Sequence, residues 1–405
     1  MKRWGGVLAA RQARAVVSGC AGLAPAPDGT SIHAALAQAA HDTLATLHPS
    51  QSTALAALLA EELVGIRDLR GKTKGIELGG KSAAAILACA ANDGANHAEQ
   101  RVGIDFIPSI EPDKWRPDPV SQVPIALGAR WGAVKPFALN ARAQFRIPPP
   151  PALDGPAYAK AFAAVKRLGG DAKVTQTVRN EEQTTAGIFW AYDGTPSLCA
   201  PPRLYNQIAM RIAETRGHGN VVELARLLAL VNLAMSDARI AAWESKYPYQ
   251  YWRPVTGIRE ADAGTGPTGK GDGNTATTGD AGFTPLGAPA SNLTGPNFTP
   301  PFPAYPSGHA AFGGALFQML RDFYGTDRIA FTFVSDEMKG ETEANAGNIR
   351  PLVRRRSASL SAAEEENGQS RIYLGIHWAF DKTDGIAQGR NIANFAFRNA
   401  FQPMR

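Results

Sequence analysis

The sequence is poor in cysteine, in strand-forming alternation and in long apolar runs, and each shortage excludes something. Its three cysteines, Cys20, Cys89 and Cys199, are odd in number and far apart, so neither a disulfide framework nor a thiolate metal site is implied. They read as small buried hydrophobes. The best apolar run, Leu227 to Met235, is fenced by Arg226 and Asp237 and is far shorter than the roughly 18–20 residues of a membrane-spanning helix. No membrane span is expected. A secretory signal is not expected either, because Arg11 and Arg14 interrupt the apolar stretch that would have to follow Met1-Lys2-Arg3. Val17-Ser18-Gly19-Cys20 lacks the apolar run that precedes a lipoprotein box, so a cytoplasmic location is favoured. Blocks of one charge are also missing. The net charge of +6 comes from scattered Lys and Arg, and the one dense run, Arg354-Arg355-Arg356, reads as a solvated basic face. Nucleic acid is not expected as a partner.

What is present is helical. With 405 residues, 44% hydrophobic and 19% charged, the chain can bury a large core. From Ser31 to about Ala91, apolar residues recur at three- and four-residue spacing, as in HAALAQAAHDTLATL and STALAALLAEELVGI, which predicts packed helices. Between Ile104 and Pro151 proline is dense and the period is lost, so this segment reads as an irregular wrap. Helices are expected over Pro156–Leu168, Thr175–Trp190, Arg203–Arg216, Asn220 to about Lys246, Ser307–Tyr324, and Ser370 to about Phe401. Ala261 to Pro301, rich in Gly, Thr and Pro, reads as one long loop. Gly340 to Gly368 is charged and reads as surface. Strand signals are nearly absent, so the fold class is all-α.

Three short motifs carry chemistry. In Tyr305-Pro306-Ser307-Gly308-His309 a helix capped by Ser307 would point the free N–H groups of Gly308 and His309 at whatever lies before its first turn, a preformed anion site. Gly308 lets an oxyanion approach closely, and His309 beside it could give or take a proton near neutral pH. In KYPYQYWRP, Lys246 and Arg253 are separated by six residues, and Pro248 should end the helix just past the lysine. Two cations thus flank one break, a point charge and a bidentate fork. Lys114-Trp115-Arg116-Pro117 shares the WRP text without the spacing and reads as structural. In SRIYLGIHWAFD, Arg371 precedes His377 by five intervening residues, and Asp381 lies four beyond it. On one helix face Asp381 would accept from one ring nitrogen of His377 and leave the other aimed as a nucleophile or metal ligand. Read singly, each motif is also explained by a capped helix, a pair of surface cations or a satisfied His–Asp pair.

Taken together, Lys-x6-Arg-Pro, Pro-Ser-Gly-His and Ser-Arg-x5-His in this order resemble the signature of the type 2 phosphatidic acid phosphatase and vanadium-dependent haloperoxidase superfamily. Similar text at WGAVKPFAL, FWAYDGTP, RLYNQIAMRIA and FPAYPSGHAAFGGA, within about residues 90 to 395, is closest in character to the chloroperoxidase-like branch. The resemblance implies a helical bundle with long irregular loops as the catalytic domain over 101–405, and residues 1–100, whose pattern is only generically helical, are expected as a helical region packed on it. It implies orthovanadate as cofactor, with phosphate able to occupy the same site. Lys246, Arg253 and Arg371 would neutralise the anion's equatorial oxygens, with Ser307 and the Gly308 amide donating hydrogen bonds. His377 would bind vanadium axially, and His309 would be the acid–base residue. Asp193 would pair with Arg371, and Trp243 with Phe302 matches an aromatic pair on the halide side.

The implied reaction oxidises bromide, and by that aromatic pair chloride, with hydrogen peroxide to a hypohalous species that halogenates a small organic substrate. The alternative is a phosphate monoester hydrolase in which His377 attacks phosphorus and His309 protonates the leaving alcohol. A non-catalytic oxyanion binder is the third reading. A homo-oligomer is allowed by the apolar helical faces of the first ninety residues.

Overall fold

Alanine and leucine spacing near the start of the chain folds as three helices: α1 (Ile32–Leu47), α2 (Ser52–Val64) and α3 (Leu69–Ala90). Ser31 caps α1 by accepting the Ala34 N–H, and Asp68 caps α3 by accepting from Arg70 and Gly71. The computed structural model describes residues 23–217 and 221–402. The signal and lipoprotein readings at the N-terminus, Cys20 and Asn220 lie outside them. Gly71, Gly75, Gly79 and Ala83 form the buried stripe of α3, and a Cβ added at Gly75 would lie 2.5 Å from the Ser31 carbonyl. α1 and α3 therefore pack nearly backbone to backbone.

The described residues divide into two compact units, one formed by those within 1–96, 217–230 and 398–405, the other by His97–Arg216 and Val231–Phe397. The second unit holds α4 (Pro156–Leu168), α5 (Glu181–Phe189), α6 (Pro201–Arg216), most of α7 (Val221–Tyr249), α8 (Pro254–Arg259), α9 (Gly308–Tyr324), α10 (Leu360–Tyr373) and nearly all of α11 (Ala379–Asn399). Among the described residues no helix is long and apolar enough to cross a membrane.

Two features of this unit set the position of the motifs. The first is an aromatic core in which Tyr158, Phe162, Trp252 and Trp378 are fully or almost fully buried, with Trp378 stacked on Phe162 and Phe380. Trp252 precedes Arg253 and Trp378 follows His377, and the Trp378 indole donates to the Trp252 carbonyl at 2.9 Å. The tryptophans anchor both segments by burial that contributes several kcal/mol each, by area of the order of 150–250 Å². The second is the crossing of α9 and α11. A Cβ at Gly389 would fall 2.1 Å from the Ala311 carbonyl, one at Gly314 2.5 Å from the Ile386 carbonyl, and one at Gly385 2.9 Å from the Ser307 carbonyl. Only glycine allows these helices to approach so closely, and the Ser307 N–H then donates to the Asp381 carbonyl at 3.0 Å.

The structure corrects several expectations. A twisted hairpin pairs β3 (Phe331–Lys339) antiparallel with β4 (Leu352–Ser357), with Phe333 opposite Arg355 and an irregularity between Val334 and Lys339. Among the described residues the other sheet is a two-residue pair, β1 (Gln100–Arg101) with β2 (Ile125–Ala126). The charged stretch expected at the surface thus holds β4 and α10. Arg355 pairs with Glu182 and Glu366 rather than standing free. α5 begins at Glu181, not near Thr175, because Asn180 and Gln183 make a reciprocal capping box. The closing helix is interrupted at Gly375, whose φ of +73° ends α10's extension before α11 starts. α7 continues through Pro248 to Tyr249, where a proline in the last turn removes little. The cysteines are not uniformly buried: Cys89 is disulfide-bonded and Cys199 is free and exposed.

Candidate active site

Ser307 caps α9 through its side chain, which accepts the Ala310 N–H at 3.4 Å, and Gly325, with φ +70°, ends the helix. The Gly308 and His309 amides precede the first intrahelical bond and face the region that the other two motifs approach. Gly308 is also pressed by Trp243, whose ring carbons lie 3.3 Å from where a Cβ would stand. The His309 carbonyl is held by Tyr205 and Asn367, both at 2.9 Å.

The cations come from three segments and all are buried. Lys246, near the end of α7, donates to the Pro303 and Ala304 carbonyls at 2.8 and 2.9 Å and to that of Pro306. Its three N–H groups are thereby engaged on the loop that leads into Ser307. Burial first, then the Arg253 charge, holds its amine well below the usual lysine range. Arg253 donates through Nε to the Phe302 carbonyl at 2.9 Å and through Nη1 to the Ile376 carbonyl at 2.8 Å. Burial lowers its pKa to about 9. Arg371 donates through Nη2 to Asp193 at 2.7 Å.

Both imidazoles are neutral by environment. His377 lies 2.7 Å from Asp381 through Nδ1 and 2.9 Å from Arg253 Nη1 through Nε2. The arginine can only donate, so Nε2 accepts and Nδ1 carries the proton. Burial, then the charges of Arg253 and Lys246, depress its pKa well below the usual histidine range. His377 precedes α11 rather than sharing a helix face with Asp381. Asp381 occupies the first turn and reaches back to the Trp378 N–H at 3.0 Å, so the pair forms by a helix-cap contact. Burial raises the Asp381 carboxyl to about 7. His309 donates from Nε2 to the Ala191 carbonyl, leaving Nδ1 as its acceptor. Burial, then Arg371, lowers its pKa to about 3.

Of the guanidinium nitrogens gathered here, Arg253 Nη2, Arg371 Nε and Arg371 Nη1 are buried without a hydrogen-bond partner among the described residues. Unpaired buried guanidinium N–H groups are costly, and beside a helix N-terminus they match a tetrahedral oxyanion. Among the described residues, no group of three or more His, Cys, Asp or Glu could hold a metal cation, whereas this array is suited to an anion. A cavity of about 180 Å³ opens over it, lined by Asp193, Trp243, Phe302, Gly308, His309, Arg371 and His377 together with apolar residues. Trp243 and Phe302 lie 5.1 Å apart, and Lys246 sits 4.9 Å from the Phe302 ring centre.

Residues 226–405 match the family described as the VCPO second helical-bundle domain. The chain is also 38% identical over 256 residues to the vanadium chloroperoxidase of Curvularia inaequalis, covering 55% of this chain and 40% of that protein, so it spans well under half of the relative's length. A bacterial vanadium-dependent iodoperoxidase structure superposes with TM-score 0.74 at 22% identity, covering 98% of this chain and 88% of the other. A holo-type bacterial vanadium-dependent chloroperoxidase gives 0.67 at 16%, covering 97% and 88%. The fold is therefore the all-α haloperoxidase fold, and the VCPO-type bundle contains all three motifs.

The structure brings the expected side chains into this one place, and it adds others that the motifs did not reveal. Asp193 sits in a turn held from β3: Glu337 accepts the Tyr192 N–H at 3.1 Å while engaging Ser291 and Arg350. Tyr192 itself has φ +45°, a left-handed conformation that this bond helps maintain. Arg239, two turns before Lys246 on α7, lines the cavity as a second arginine beside Arg371. Counting back along the helical period from Lys246 would have found it.

Removing positive charge from this array has a testable proton signature. His309, His377 and Lys246 are all depressed partly by neighbouring cations, so a bound anion returns their pKa values upward. Sulfate brings no proton of its own near neutral pH. Its binding is expected to take up protons at pH 6 to 7.5, seen by calorimetry in buffers of different ionisation enthalpy. Net proton release would contradict this electrostatic account.

Proposed function

We propose that the chain is a vanadate-dependent haloperoxidase, which oxidises halide with hydrogen peroxide and halogenates a small organic substrate, with the chemistry in residues 101–405. The observation that carries the reading is the set of unpartnered Arg253 and Arg371 donors gathered with two neutral imidazoles at the N-terminus of α9. The 38% identity to a vanadium chloroperoxidase supports it.

In this reading Arg253, Arg371 and Lys246 balance the charge of orthovanadate, and Ser307 and the Gly308 amide donate to its oxygens. Lys246 must exchange at least one carbonyl for that contact, since all three of its donors are taken. His377 offers Nε2 once Arg253 Nη1 turns to the anion, and Asp381 keeps Nδ1 protonated. Bound there, vanadate supplies a Lewis acid that polarises peroxide without changing its own oxidation state. His309 accepts at Nδ1 the proton that peroxide gives up and returns it as halide is oxidised, its basicity restored by the anion's charge. Asp193 orients Arg371. Trp243 and Phe302 narrow the approach and limit water.

The test is bromination of a 1,3-diketone probe by purified protein stripped and reloaded with orthovanadate, with bromide and peroxide. Vanadate-dependent bromination, suppressed when phosphate is present during reloading, is the expected result. Absence of bromination together with aryl phosphate hydrolysis by the vanadate-free protein would instead assign the site to phosphoryl transfer.

A further inference from the structure

The cavity over the anion site has an apolar wall that includes Leu127, Pro201, Pro202, Phe298 and Pro300, and Arg239 is a cation in that wall outside the three motifs. The Arg239 guanidinium carbon lies over Trp131, 3.6 Å from the ring centre, and 5.8 Å from that of Trp243. The edge contact of His97 with Trp131, at 5.4 Å, steadies the platform. Among the described residues, no protein acceptor takes an Arg239 N–H and no carboxylate lies within ion-pair distance. Glu99 reaches it only through space, its carboxylate being engaged with the Gly128 N–H. A half-buried guanidinium, stacked and with its donors free, is prepared for a planar oxyanion. The tetrahedral anion has its own site, so this fork is left for a different ligand.

We propose that Arg239 binds the carboxylate of an electron-rich aromatic acid whose ring occupies the cavity. About 180 Å³ accommodates one substituted six-membered ring, on the scale of engineered cavities of about 150 Å³ that take up benzene. Proline and phenylalanine faces suit a flat ring, and the two-point attachment fixes which edge of it faces His309. In the haloperoxidase reading, on which the substrate role rests, the acid is the halogen acceptor, and Arg239 is its specificity residue. Its ring loses a proton and gains halogen from the hypohalous species, with water released.

Binding is measured first, so that the result does not depend on turnover. Calorimetry of the full-length protein with its anion site saturated by inorganic phosphate is expected to show binding of 4-hydroxybenzoate and weaker binding of its methyl ester. Arg239→Ala should weaken the acid at least about tenfold and leave the ester unchanged, as expected for loss of a charge-assisted pair. Arg239→Lys should recover part of the loss. Unaltered phosphate affinity in both variants shows that the fold and the deeper site are intact. Equal affinity for acid and ester, no binding of the acid, or displacement of the acid by phosphate would each overturn the proposal. With turnover established, Arg239→Ala should raise KM for 4-hydroxybenzoate and not for bromide. A raised KM for bromide would mean that the cation serves the halide. Failure of bromination with the acid still bound to Arg239 would remove the haloperoxidase reading and leave the binding site.

Discussion

His309→Ala is expected to lower halide oxidation by about 10²–10⁴-fold, the usual contribution of a positioned acid–base group, while phosphate and orthovanadate affinity changes by less than about threefold. The ring is bonded to the Ala191 carbonyl through Nε2, and the anion-facing donors belong to Arg253, Arg371 and the α9 amides. Losing the imidazole therefore removes a proton carrier and leaves the charges in place. The alanine also leaves the Ala191 carbonyl without its donor, at a cost of about 1–3 kcal/mol. His309→Gln keeps a donor near that carbonyl and separates the two effects. It should fold like the parent and be as inactive as the alanine variant. Turnover near the parental rate in the glutamine variant would remove His309 from the chemistry.

The other large effect is expected far from any reacting atom. Gly389→Ala places a methyl group 2.1 Å from the Ala311 carbonyl and 2.7 Å from the Ala315 nitrogen, contacts between backbones that no rotamer relieves. Overpacking of this kind costs roughly 1–3 kcal/mol and more where backbone must move, so a lowered Tm and a weakened oxyanion site are expected together. α11 carries Asp381 in its first turn, and α9 carries Ser307 and His309 at its start, so prising the helices apart separates two of the motifs. Gly385→Ala, where the nearest atom is 2.9 Å away, is the graded control. It should show the same pair of losses at smaller size. A Gly389→Ala protein with parental Tm and parental phosphate affinity would show that the crossing does not set the site.

How far the sequence alone reaches differs from element to element. α9 was legible to the residue because its signals are local: Ser307 as cap, Gly325 as stop and small residues between. α4 was legible for the same reason, with Pro156 in its first turn. The His377–Asp381 pair was foreseen for an inadequate reason, since four-residue spacing serves a helix cap as well as a helix face. The β3–β4 hairpin was hidden because half of β4 is arginine and its partner is chosen by tertiary contacts, among them the salt bridges of Arg355. Asp193 was visible as part of a turn, but Glu337, which holds that turn, lies far away in sequence with nothing local to mark it. The engagement of Lys246 on three carbonyls was equally illegible, because it depends on where the 303–306 loop passes.

One property of α7 reaches beyond stability. Arg239, Trp243 and Lys246 lie on one continuous helix, and the seven residue steps from first to last span about 10 Å of axial rise. That separation is set by the helix backbone and not by the loops at the cavity mouth. In the proposed reaction the helix would act as a ruler between the cavity wall and the anion site, so that the length of an organic guest would decide which of its carbons meets the oxidant.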